Sequence, residues 1–350
     1  MQEAGSKGAG EQRSKGAMEQ GSRGAEEQSA SRNPLVVIVG PTAVGKTALS
    51  LRLAESLDGE IVSADSRLFY RGMDIGTAKP TPEERARVPH HLIDIAKPDE
   101  TVGLAEFQER AYRAIADIQA RGKLPLLVGG TGQYVRAVVE GWRIPRVPPD
   151  PTLRAELEAQ AERDGATALH ARLARLDPDA AKRIDPRNVR RVIRALEVCL
   201  LTGRPISAQQ RKQPPPYHIL QIGLTMERMA LYARADRRVE AMMAAGLEDE
   251  VRRLLEAGYG WDLPAMSGLG YVQFRPYFEG RATLEEVVAE IKRATRRFIR
   301  HQYNWFRLND PTIRWFDVTE TTAEEIEAVV REWLERDRNR ASFAPTVAWW

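Results

Sequence analysis

The sequence predicts an α/β fold: a core of mainly parallel sheet built around a phosphate-binding loop (P-loop), plus an inserted all-helical domain. Three observations carry this expectation. The continuous apolar run Leu35-Val36-Val37-Ile38-Val39 opens directly onto the glycine-rich turn Gly40-Pro41-Thr42-Ala43-Val44-Gly45-Lys46-Thr47, the order in which a buried parallel strand delivers a polyphosphate-binding turn to a helix. Further short apolar strands alternate with amphipathic helical patterns. Between about 146 and 216 strand signals vanish, and Ala, Leu and Arg dominate a segment with prolines clustered at each end.

Taken in order, residues 1–33 repeat with a period of eight: Ser6-Lys7-Gly8-Ala9, Ser14-Lys15-Gly16-Ala17, Ser22-Arg23-Gly24-Ala25. Almost free of large apolar residues, the repeat cannot offset the entropy of ordering and reads as a disordered tail. Its five basic residues balance five glutamates, which makes it a poor nucleic-acid arm. The run at 35–39 is the first strand; 60–64 and 124–128 read as two more, with an amphipathic helix over 104–121 between them. Pro145, Pro148, Pro149 and Pro151 on one side and Pro214-Pro215-Pro216 on the other stiffen the hinges of the helical insert at 146–216. A strand at 218–224 then returns to the sheet, and helices follow over 227–244, 247–256 and 284–307. The core is thus expected at 34–145 and 217–337, with a frayed tail at 338–350.

Composition narrows the function. A chain of 350 residues, 43% hydrophobic, is long enough for more than one domain. Against 49 acidic residues stand 52 basic ones, a net of +3, so bulk charge makes no case for a nucleic-acid partner and only clustering can. Of those cations nine are lysines and 43 arginines, the better bidentate phosphate binder. The lone Cys199 excludes an internal disulfide framework and a multi-cysteine zinc site, and reads as a buried thiol on a helix in a reducing cytosol. No apolar run approaches the roughly 18 residues that cross a bilayer, and no secretory signal opens the chain. The expectation is a soluble, cytoplasmic protein without a membrane partner.

The glycine-rich turn fits glycine, four residues, then Gly-Lys-Thr. Such glycines let backbone N–H groups turn inward around a polyphosphate, while the helix N-terminus adds partial positive charge. Lys46 neutralises phosphoryl oxygens and Thr47 can ligate Mg²⁺. A nucleotide hydrolase also needs an acidic residue at a second strand end, to position metal and water. Here the strand at 124–128 runs instead into Gly129-Gly130-Thr131. The acid follows the second strand, as Asp65 in Ser63-Ala64-Asp65-Ser66. Asp65 and Thr131 should converge at the loop's mouth, because ligands bind beyond strand ends in open α/β sheets. From spacing alone, a turn or N-cap role for Asp65 stays open.

Several separated motifs resemble the bacterial tRNA dimethylallyltransferases (tRNA isopentenyltransferases) across nearly all of 34–335. They are the turn at 40–47, Asp65-Ser66 with Tyr70, Gly72-Met73-Asp74-Ile75-Gly76-Thr77-Ala78-Lys79-Pro80 and Pro89-His90-His91-Leu92-Ile93-Asp94. Further on stand Leu126-Leu127-Val128-Gly129-Gly130-Thr131, Arg194-Ala195-Leu196-Glu197-Val198, Gly246-Leu247 with Glu250-Val251, Gly270-Tyr271, and Thr295-Arg296-Arg297 with Arg300, Gln302 and Trp305-Phe306-Arg307.

The resemblance implies transfer of a dimethylallyl group from dimethylallyl diphosphate to N6 of the adenosine 3′-adjacent to the anticodon, position 37, in tRNAs reading codons that begin with U. Diphosphate is released. It implies that Gly40, Pro41, Thr42, Ala43, Val44, Gly45, Lys46 and Thr47 hold the leaving diphosphate, with Mg²⁺ on Thr47, and that Arg234 and Arg238, four apart on one helical face, complete the clamp. It makes Asp65 the group that accepts the N6 proton, with Thr131 beside the reaction channel. It assigns tRNA contacts to Asp65, Ser66, Arg67, Leu68, Thr131, Arg154, Arg190, Arg191, Val192, Ile193 and Arg194, and it implies a monomer working on the anticodon stem-loop. Arg293, Arg296, Arg297 and Arg300 form a cationic stripe that either meets an anion or is a solvated face paired with glutamates, and Ile291, Ala294, Phe298 and Trp305 mark a different side, expected to point to the core.

Departures from the family pattern fall at Ser267 and Val272, where basic residues usually flank Gly270-Tyr271, at Leu68, often Gln, and at Gln133, usually apolar. The competing readings are a small-molecule P-loop kinase, a free-adenylate prenyltransferase and a non-catalytic RNA-binding protein. The first two leave the insert unexplained; the third leaves Lys46, Thr47, Asp65, Thr131, Arg234 and Arg238 without a purpose.

Overall fold

The computed structural model describes residues 33–342. The repeats expected to be disordered and the last eight residues of the expected C-terminal fray lie outside them.

Strand and helix alternate as the sequence requires. β1 (Asn33–Val39) leads into α1 (Lys46–Ser56) and β2 (Gly59–Ser63); then come α2 (Pro82–Arg87), β3 (His90–His91), α3 (Leu104–Ala120), β4 (Leu124–Val128) and α4 (Gly132–Val139). After five helices, α5 (Pro151–Asp164), α6 (Ala166–Leu176), α7 (Pro178–Arg183), α8 (Val189–Thr202) and α9 (Ile206–Gln209), the chain returns through β5 (Tyr217–Thr225). It closes with α10 (Arg228–Ala244), α11 (Leu247–Glu256), α12 (Arg275–Phe278), α13 (Leu284–Trp305), β6 (Ile313–Asp317) and α14 (Ala323–Ser342).

The six strands form one sheet in the order β3-β2-β4-β1-β5-β6, and every pairing is parallel. The central strand shows why its sequence is uninterruptedly apolar. Val36 and Ile38 face α1 and α14, packing in a cluster with Leu49, Leu53, Ile326 and Val330, whereas Leu35, Val37 and Val39 face α3, in a cluster with Phe107, Ala111, Ile115 and Ile118. Side chains alternate across the pleat, so helices on both faces leave no exposed position. Because all the strands point the same way, the C-terminal ends of β1, β2 and β4 bring the glycine-rich turn, Asp65 and Thr131 to one edge.

Two strands escape the sequence pattern. β3 is two histidines long, and β6 reads Ile-Arg-Trp-Phe-Asp at the sheet's edge, half-exposed and with no apolar run. α14 runs to Ser342, past the expected boundary at 337.

The helices α5–α9 carry a hydrophobic cluster of their own, including Leu157, Leu169, Leu173, Val192, Leu196 and Ile206. Cys199 sits buried in it. Backbone bonds from Arg143 to Arg211 (2.7 Å) and from Gln213 to Gly141 (2.8 Å) tie together the two segments that join these helices to the sheet.

Candidate active site

Gly45 takes φ +115°, and Ala43 accepts the left-handed φ of +68°. That curl, strained at Ala43, turns the chain between β1 and α1. Across its mouth the Lys46 ammonium donates to the carbonyls of Gly40 (3.0 Å) and Pro41 (2.8 Å). Burial lowers its pKa to about 8; the Asp65 carboxylate opposes that shift and the Arg238 guanidinium adds to it. Thr47, on the first turn of α1, is exposed to the cavity described below.

From α10 the two arginines reach this loop, as their spacing on one face demands. The Arg234 guanidinium comes to 3.6 Å of the point where a Cβ on Gly45 would stand. Arg238 lies deeper, its pKa pulled down by burial against the attraction of Asp65.

On the other wall, Asp65 stands two residues past Ser63, the last residue of β2. One carboxylate oxygen accepts the Arg67 amide (3.0 Å), so the residue does shape a local turn, yet it also lines the cavity. The Ser66 amide meets the Thr131 hydroxyl at 3.5 Å, coupling that turn to the one after β4. Lys46, Thr47, Asp65, Ser66, Arg67, Leu68, Thr131 and Arg238 thus surround a single cavity of about 520 Å³. Arg67 does more than line it: its guanidinium donates to the carbonyls of Pro264 and Ala265 and so holds the loop that carries Ser267 and Leu269.

Two supporting residues had no role in the sequence reading. Gln302 on α13, only 4% exposed, accepts the Thr42 amide at 2.8 Å and donates to the Gly130 carbonyl at 3.1 Å. Its carboxamide fixes why position 130 is glycine, since a Cβ there would stand 2.3 Å from Nε2. Glu250 on α11 accepts the amides of Asp74, Ile75 and Gly76 (2.9, 2.8 and 3.1 Å), which holds the loop bordering the cavity through Gly76, Thr77 and Ala78. Both lie in motifs the sequence displayed, but a single polar residue at a buried helix position gives no clue to its partners.

The expected core face of α13 needs correction. The core face of α13 is Val287, Ile291, Thr295, Ile299 and Gln302; Phe298 is 41% exposed and borders the cavity. The arginine stripe divides. Arg293 pairs with Glu290 and Arg296 with Asp236, whereas Arg297 and Arg300 have no carboxylate in ion-pair range among the described residues. In the helical insert, Val192 and Ile193, expected at an RNA surface, point their side chains into that unit's own core. Arg154 and Arg194 both bind the fully buried Glu197, whose pKa stays at about 2 because those hydrogen bonds outweigh burial. Arg190 and Arg191, at the start of α8, remain exposed. None of these residues borders the cavity. Among the described residues no group of three or more His, Cys, Asp or Glu is placed to hold a metal ion, and no helix is long and apolar enough to cross a membrane.

A family model described as IPP transferase matches residues 68–309. A tRNA dimethylallyltransferase of Roseiflexus sp. (strain RS-1) is 61% identical over 302 residues, 86% of this chain and 99% of the relative. The full-length tRNA isopentenylpyrophosphate transferase of Bacillus halodurans is 44% identical with a TM-score of 0.65, over 89% of this chain and 98% of that one. A eukaryotic dimethylallyltransferase, captured acting on tRNA, is 25% identical with a TM-score of 0.74, over 87% of this chain and 80% of the other.

Proposed function

Since the chain belongs to the tRNA dimethylallyltransferase (IPP transferase) family, we propose that it moves a dimethylallyl group from dimethylallyl diphosphate to N6 of adenosine 37 in tRNAs reading codons that begin with U. The observation that carries this reading is the single cavity in which a phosphate-binding loop faces Asp65 and Thr131, with no acid after β4 to position a hydrolytic water.

The residues divide the work. Backbone amides of the loop, Lys46, Arg234 and Arg238 take up the negative charge that grows on the diphosphate as its carbon–oxygen bond breaks. Adenine N6 is a weak nucleophile because its lone pair is delocalised into the ring. Asp65 accepts a hydrogen bond from it and takes its proton as the new bond forms. To reach Asp65 the base must leave the anticodon-loop stack. Thr131, linked to Ser66, keeps the Asp65 turn in register with the end of β4.

Mg²⁺ fits the donor set. Thr47 is exposed to the cavity beside the phosphate-binding loop, so its hydroxyl would hold the ion together with oxygens of diphosphate and water. When bound it would neutralise the leaving diphosphate. Arg190 and Arg191 suit phosphates of the stem-loop, and the enzyme works as a cytoplasmic monomer.

The test mixes the protein, Mg²⁺, labelled dimethylallyl diphosphate and unmodified tRNA with adenosine at positions 36 and 37. Digestion should release labelled prenyladenosine, lost in Lys46→Ala and Asp65→Ala. NTP turnover on a small acceptor, with no label in tRNA, would overturn the reading.

A further inference from the structure

We propose that Gln302 is a positioning residue that sets the separation between the donor and acceptor halves of the cavity. The proposal rests on the function proposed above. The two walls come from different parts of the chain: the loop after β1 holds the diphosphate, and the turns after β2 and β4 carry Asp65 and Thr131. Gln302 bridges them. Its Oε1 accepts the Thr42 amide (2.8 Å) on the donor side, and its Nε2 donates to the Gly130 carbonyl (3.1 Å) on the acceptor side. From Gly130 the connection runs through Thr131, whose hydroxyl meets the Ser66 amide (3.5 Å), to Asp65 next in the chain.

Three features make this a brace rather than ordinary packing. The carboxamide is almost wholly buried and its bond to Gly130 is closed to solvent, so breaking that bond strands a polar group. Thr42 lies inside the phosphate-binding turn, yet its N–H points to Gln302, so one amide of that turn is anchored to protein before any phosphate arrives. A Cβ at Gly130 would stand 2.3 Å from Nε2, so any side chain there must push the carboxamide aside. In-line attack of N6 on the donor carbon requires the two halves to keep a spacing that neither wall determines alone, and an error of about 1 Å can cost 10²-fold in rate.

Full-length Gln302→Met, close in shape but unable to make either bond, and Gly130→Ala, which forces the carboxamide aside, are compared with wild type. Single-turnover transfer is measured with donor and tRNA saturating, and the affinity for each substrate is measured separately. The expected result is a rate loss of about 10²-fold in each variant with both affinities within about threefold. The double variant should be no slower than the slower single one, because both changes break one bridge. Donor affinity that falls in parallel with the rate would make Gln302 part of diphosphate binding; an unchanged rate, or losses that multiply in the double variant, would remove the bridge. Should Gln302→Met fail to fold, Gly130→Ala alone decides between these results. Wild type that fails to prenylate tRNA would instead refute the function proposed above, and the bridge's role with it.

Discussion

The Tyr271 hydroxyl donates to the Glu250 carboxylate at 2.7 Å, in a space closed to solvent. Burial and the neighbouring carboxylate both push the phenol pKa up, so the hydroxyl stays a donor throughout the accessible pH range. Since Glu250 also holds three backbone amides of the 74–76 loop, the pair welds a cavity wall to α11. Tyr271→Phe removes one bond and leaves the carboxylate three partners, so it should cost about 1–3 kcal/mol in a urea titration. Glu250→Ala strands three amides and should cost more. Equal stabilities for Tyr271→Phe and wild type would mean that the hydroxyl contributes nothing.

Asp65→Asn keeps the shape of the turn but cannot take a proton. Transfer should fall by about 10²–10⁴-fold, the usual worth of a positioned base, while tRNA affinity holds. A collapse of tRNA binding in this variant would return Asp65 to the role of a turn residue.

The pKa of Lys46, about 8, lies close enough to neutrality to be seen. A lowered pKa leaves the ammonium charged below 8 and neutral above it, so donor affinity should fall as pH rises from 7 towards 9 in the empty enzyme. Bound diphosphate stabilises the ammonium and shifts this limb upward. Isothermal titration with the diphosphate across that range should show the decline, and Lys46→Met should lack it. A wild-type curve that is flat up to pH 9 would contradict the assignment.

Much of this site was legible because it is written in local order. The apolar run at 35–39 ends in the glycine-rich turn, and the parallel sheet converts that adjacency, together with the acid after β2 and the threonine after β4, into one cavity. What local order does not encode is which helix closes the cavity. Gln302 is 260 residues from Thr42 and 172 from Gly130, so its role exists only once α13 has docked. Apolar residues at helical spacing usually face the core, yet Phe298 is exposed and the cavity opens beside it. In the insert, consecutive arginines look alike in sequence, while buried Glu197 recruits Arg154 and Arg194 and leaves Arg190 and Arg191 outside.

Acid should unfold the protein through two buried carboxylates. Hydrogen bonds from Arg121, opposed by burial and joined by His91, hold Glu60 at about 2, and Arg154 with Arg194 hold Glu197 at about 2 against burial. The unshifted value is 4.5, so both groups have depressed pKa values in the folded state. Their contribution is complete above 4.5 and is lost as pH falls from there towards 2. Glu60→Gln and Glu197→Gln should flatten the fall in thermal midpoint between pH 5 and 3. If the slopes match wild type, other carboxylates govern acid unfolding.

The same grouping separates two kinds of arginine that a binding assay alone would confuse. Arg154→Ala removes two of the bonds to Glu197 and leaves that buried carboxylate with Arg194 and the Asp150 amide. Breaking a buried pair from one side is costly, so the helical insert should lose stability, and any weakening of tRNA binding should follow from that loss. Arg190 and Arg191 are exposed, so alanine there should leave the thermal midpoint unchanged. If they meet phosphates, each substitution should lower the slope of log affinity against log salt by about 0.7–0.9, because one fewer counterion is released. Affinity measured from low to moderate salt, beside a melting curve for each variant, reads both quantities. A reduced salt slope for Arg154→Ala at unchanged stability would move Arg154 to the RNA surface, and an unaltered slope for both Arg190→Ala and Arg191→Ala would take the start of α8 off it.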